Sequence, residues 1–68
     1  MGVLISVNGE PRTVRDNGTV EQVVGEVTPL TSGIAVAVNG DVIRRGAWGT
    51  SVLRTGDQLE IVTAVQGG

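Results

Sequence analysis

Cysteine, histidine, lysine and tyrosine are all missing from this chain of 68 residues. Without cysteine there is no disulfide framework, no thiolate nucleophile and no sulfur-ligated zinc or iron–sulfur site. The lack of histidine removes the commonest general base and the commonest transition-metal ligand. What remains for acid/base work is a few hydroxyls and seven carboxylates: Glu10, Asp16, Glu21, Glu26, Asp41, Asp57 and Glu60. They are scattered over turns, helix and strand ends, so neither an acid/base pair nor a metal cluster is expected. An enzyme is not expected either.

Aromatic residues are reduced to Trp48, and the net charge is −2 with five arginines spread along the chain as Arg12, Arg15, Arg44, Arg45 and Arg54. No basic stripe exists to neutralise a row of phosphates, and a single indole gives no stacking platform, which argues against nucleic-acid binding. No apolar run approaches a membrane span and no signal-peptide pattern opens the chain, so a cytoplasmic location is expected. The length predicts one domain over residues 1–68, too small for a deep catalytic cleft.

What is present is strand and turn chemistry. Val3, Ile5 and Val7 alternate with Leu4 and Ser6 and stop at Asn8-Gly9, the strongest short hairpin signal, because both residues tolerate the positive φ of a type I′ turn. Pro11 to Arg15 reads as the return strand, with a proline and two arginines suited to a solvated edge. Thr19 and Gln22 have the spacing of a capping box. Val20, Val23, Val24 and Val27 then form one helical stripe that Thr28-Pro29 ends. Valines and Gly25 are weak helix formers, so packing must hold this helix.

Ile34 to Val38 reads as a strand buried on both faces, turning at a second Asn-Gly, Asn39-Gly40, into Val42-Ile43. The repeated Val-Asn-Gly, at Val7 and Val38, is read as one turn chemistry used twice. Residues 46–57 look irregular, anchored by Trp48, Val52 and Leu53 and closed by a Gly56-Asp57 turn. The last strand, Leu59 to Val65, sets Leu59, Ile61 and Val65 against one face and Glu60, Val62 and Ala64 against the other. With a right-handed crossover it lies parallel to and beside the first strand. The fold class predicted is α+β: a β-grasp, ubiquitin-like mixed sheet with one helix packed across it.

After that strand come Gln66, Gly67 and Gly68, predicted to be a flexible tail. A diglycine end carries no Cβ atoms, enters narrow slots, and leaves its carbonyl open to attack from either side. In order, spacing and length the whole chain resembles the sulfur carrier proteins of thiamin biosynthesis, the ThiS family. The resemblance rests on Val7-Asn8-Gly9-Glu10, Ala35 to Gly40, Arg45 with Trp48 three residues on, Gly56-Asp57, Glu60-Ile61-Val62, and Val65 to Gly68.

The resemblance implies that an adenylyltransferase of the ubiquitin-activating type uses ATP and magnesium to adenylate the Gly68 carboxylate. A persulfide sulfur then displaces AMP, and the thiocarboxylate is delivered to thiazole synthase. It implies no cofactor or metal bound by the chain and no catalytic side chain. Gln66, Gly67 and Gly68 are the expected tail in partner active sites; Val62, Ala64 and Trp48 are candidate partner contacts, with Trp48 favoured as a core anchor. A carrier for molybdopterin or another sulfur pathway would end the same way, and a non-covalent β-grasp interaction module is the reading from a different class.

Overall fold

A computed structural model describes residues 1–30 and 32–63. The chain runs β1 (Gly2–Val7), β2 (Glu10–Arg15), α1 (Val20–Val27), β3 (Ile34–Val38), β4 (Asp41–Ile43), a 3-10 helix (Arg45–Thr50) and β5 (Gln58–Thr63). The strands form one mixed sheet in the order β2-β1-β5-β3-β4, with β5 antiparallel to β3 and parallel to β1. This is the β-grasp layout, and the parallel placement of the last strand beside the first is the expected one.

The turns behave as their residues dictate. Asn8 and Gly9 both take positive φ, 51° and 86°, and Asn39 and Gly40 repeat this at 52° and 89°. Two primed turns therefore close the two hairpins. At the helix, the Gln22 amide donates to Thr19 Oγ1 and the Thr19 amide to Gln22 Oε1, completing the capping box. The Val20 amide, one of the helix's unpaired N-terminal donors, finds the Ser51 carbonyl at 3.0 Å.

The core lies between the helix and one face of the sheet. Val20, Val23 and Val24 pack there with Ile5, Val7, Val14, Val36, Trp48, Leu53 and Leu59. Val27, expected to complete the helical stripe, is 39% exposed at the end of α1, where it lines an open groove with Val7, Pro11 and Arg12. The expectation that β3 is buried on both faces is also corrected: Val36 is buried, whereas Ala35 is exposed and Ala37 half-buried. One short helix covers only one face of a five-stranded sheet, and the other face is left open.

The loop between β4 and β5 is more regular than its sequence suggests. Its 3-10 turn puts Arg45 and Trp48 on one side, since residues three apart eclipse in that geometry, and the guanidinium sits 5.1 Å from the ring centroid. Trp48 and Leu53 are buried anchors as expected, but Val52 is half exposed and bridges Thr19 through backbone pairing. No helix among the described residues is long and apolar enough to cross a membrane.

Candidate functional site

The register of the sheet defines what the open face carries. Directly paired residues share a face, so Ala35 lies beside Val62, Ala37 beside Glu60, and Ala37 also beside Val42. Val62 is 60% exposed and Val42 79%. Together with the two alanines they form a low, apolar surface over β3, β4 and β5, with Glu60 as its charged member. Val62 therefore lies where the sequence placed it, on the sheet face away from the helix and near the end of the last strand. Ala64, its expected companion, lies outside the described residues, as do Val65, Gln66, Gly67 and Gly68.

Trp48 is not part of this surface. It is 5% exposed, and its indole N–H donates to the Ile43 carbonyl at 2.9 Å. The structure thus removes it from the candidate partner contacts and makes it a core anchor, the alternative its sequence context favoured. Buried Trp keeps its N–H hydrogen-bonded for the reason any buried donor must.

β5, the strand leading toward the tail, is fixed by two asparagines that the sequence had marked only as turn formers. Asn39 Oδ1 accepts from the Gln58 amide at 2.9 Å, and its Nδ2 donates to Asp57 Oδ1 at 3.0 Å. At the other end of the strand, Asn8 Oδ1 accepts from the Ile61 amide at 2.8 Å while its Nδ2 donates to the Ile61 carbonyl at 3.2 Å. No spacing rule signals such contacts, because the partners are 19 and 53 residues away. The only hint was that Asn, not another left-handed residue, stood in both turns.

The chemistry available is sparse. Among the described residues no three acidic side chains gather where they could hold a metal ion. One open groove lies between β2 and α1, lined by Thr13, Val14, Arg15, Gln22 and Glu26, and another brings Ser6 and Asp57 to the same depression. The arrangement is one of display: a stiff strand, a flat apolar face beside it, and a glycine-rich segment following in the sequence.

Fold and site together define a ubiquitin-like β-grasp domain. Solved structures place it more narrowly, since the crystal structure of the thiamine biosynthesis protein ThiS from Geobacter metallireducens superposes with a TM-score of 0.78. That match is 27% identical and covers 97% of this chain and all of that one. The profile of the ThiS family matches residues 5–68, and the chain belongs to that family.

Two longer proteins also contain a similar segment. A thiazole synthase of Magnetococcus marinus is 34% identical over 64 residues, 94% of this chain and 20% of that protein. One from Paramagnetospirillum magneticum is 32% identical over 62 residues, 91% of this chain and 19% of that protein. The chain spans about a fifth of the length of these relatives.

Proposed function

We propose that the chain carries sulfur for thiazole formation in thiamin biosynthesis, and that its working group is the Gly68 carboxylate. The observation supporting this is the family match, which covers residues 5–68 and so includes Gly68. A side-chain repertoire without Cys, His, Lys or Tyr agrees with it, because main-chain chemistry makes no use of those groups.

An adenylyltransferase of the ubiquitin-activating type, with ATP and magnesium, joins a carboxylate oxygen to the α-phosphorus and releases pyrophosphate. The terminal sulfur of a protein persulfide attacks the acyl carbon, and the C–O bond to AMP breaks. A thiol then reduces the S–S bond of the acyl persulfide and leaves the thiocarboxylate. Thiazole synthase is the proposed acceptor, a reading that the names of the two longer relatives support. Both enzymes meet the open sheet face at Val62, with Ala64 as a further contact, while Gln66, Gly67 and Gly68 enter the active site. ATP chemistry of this kind belongs in the cytoplasm.

The test is intact mass after incubation with ATP, magnesium, an adenylyltransferase of that type and a persulfide donor. The expected products are an AMP adduct and then a protein with one oxygen replaced by sulfur. One residue appended after Gly68, or deletion of Gly68, abolishes both while leaving the fold unchanged. Thiocarboxylate formed with Gly68 blocked and no proteolysis refutes the reading. A second reading, a non-covalent β-grasp module of a thiazole synthase, draws on the longer relatives and predicts an unmodified mass throughout.

A further inference from the structure

β5 changes its surroundings along its length. Up to Leu59 it has β1 on one side, with Ser6 opposite Gln58 and Val7 opposite Leu59, and β3 on the other. At Asn8 the first strand turns away. The Asn8 amide still donates to the Leu59 carbonyl, at 2.9 Å, but the next backbone pair on that side belongs to Ile61, and among the described residues no strand meets it there. The Asn8 side chain does so instead, accepting from the Ile61 amide and donating to the Ile61 carbonyl. A primary amide held this way reproduces one backbone peptide group and lengthens the β1 ladder by one rung.

Resting on the carrier reading above, we propose that Asn8 is a positioning residue for the tail: its side-chain amide holds β5 in register at Ile61, seven residues ahead of Gly68, and so sets the point from which the tail is presented. The observation behind this is that the Asn8 amide is the β1-side partner of β5 beyond Leu59 among the described residues. Val36, Ala35 and Ile34 continue to pair on the other side, opposite Ile61, Val62 and Thr63. Without Asn8, Ile61 joins Val62 and Thr63 in having β3 as its one neighbour among the described residues. Frayed residues must then be ordered again whenever the tail docks, which weakens docking and leaves the chemical step alone.

Asn39 is a matched control. It occupies the same position of the same turn type and makes two side-chain hydrogen bonds of similar length to the region of β5, but at the start of the strand, away from the tail. Glycine adopts the positive φ of both positions without penalty, so Asn8→Gly and Asn39→Gly each delete a clamp and keep a turn. Asn8→Asp keeps the acceptor for the Ile61 amide and loses the donor, and serves if the glycine variant fails to fold.

The experiment measures amide exchange at Ile61 by NMR, and steady-state adenylation by ATP–pyrophosphate exchange with carrier concentration varied. Asn8→Gly is expected to accelerate Ile61 exchange and to raise KM for the carrier about tenfold, the equivalent of ordering roughly one further backbone residue on docking, with kcat unchanged; Asn8→Asp falls between it and the parent. Asn39→Gly is expected to keep the parental KM and Ile61 exchange. Equal KM shifts in the two glycine variants, or a parental KM in Asn8→Gly, overturn the proposal. So does unaltered Ile61 exchange in Asn8→Gly, which means the clamp does not hold the strand. A parent chain that is never adenylated sinks the carrier reading itself and this inference with it, an outcome visible before any variant is made.

Discussion

Gly18 gives the sharpest stability prediction, because it is glycine for want of space. It follows Asn17, which takes the left-handed φ of 64° in this turn, and its own φ is not positive. A Cβ built on Gly18 overlaps Val14 Cγ1 and lies 2.9 Å from the Arg15 carbonyl oxygen. The backbone cannot retreat: the Gly18 amide donates to the Arg15 carbonyl and the Gly18 carbonyl accepts from the Leu53 amide, both at 2.9 Å. Overpacking of this kind costs about 1–3 kcal/mol, and a site pinned on two sides belongs at the upper end, about 2–3 kcal/mol. A domain of this length has roughly 3–10 kcal/mol in total, at about 0.05–0.15 kcal/mol per residue. With each kcal/mol worth about 4–8 °C, Gly18→Ala should lower Tm by about 10–20 °C. Urea unfolding of Gly18→Ala, Val14→Ala and the double variant tests the cause, since shortening Val14 removes one of the two clashes. The double variant should be less destabilised than the sum of the singles by about 1 kcal/mol or more. Parental stability in Gly18→Ala, or strict additivity, refutes the reasoning.

Three further outcomes are expected. Val24, 4% exposed in the middle of the helix, should not accept a charge: Val24→Asp should cost several kcal/mol or unfold the domain, as read by urea denaturation. Trp48→Phe should cost about 1 kcal/mol or more by leaving the part-buried Ile43 carbonyl without its indole donor, and a denaturation midpoint equal to the parent's would show that water replaces the indole. Val62→Glu should leave the midpoint within about 0.5 kcal/mol, as an exposed substitution does, while weakening association with the adenylyltransferase in a titration; unchanged affinity would move the docking surface elsewhere.

The elements legible in the sequence were those with a local cause. Asn8-Gly9 and Asn39-Gly40 named their turns because few residues tolerate positive φ twice in succession, and Thr19 with Gln22 named the helix start because a capping box is complete within four residues. The parallel pairing of β1 and β5 followed from crossover handedness. What failed depended on where layers end. Val27 keeps the period of its stripe yet faces an open groove at the helix end, and the apolar run Ile34–Val38 looked two-sided because Ala35 and Ala37 are apolar without being fully covered. Val52 looked like an anchor, but its role is backbone pairing with Thr19. The 3-10 turn around Trp48 left no periodic trace, since six residues give no room for one.

The candidate site divides along the same line. Its chemical part, a chain without Cys, His, Lys or Tyr before a diglycine, is a property of composition and could be read directly. Its geometric part could not, because Ala35, Val42 and Val62 meet only through the register of three strands, and Asn8 reaches Ile61 only because β1 ends one residue before β5 needs it. On the carrier reading proposed above, partners recognise the surface of the domain and not a catalytic side chain. A flat apolar face serves that purpose only if the strand beneath it is held on both sides, and past Leu59 β1 no longer supplies the second side. The Asn8 amide fills that gap at Ile61, so a residue that looks like turn punctuation stands close to the proposed function.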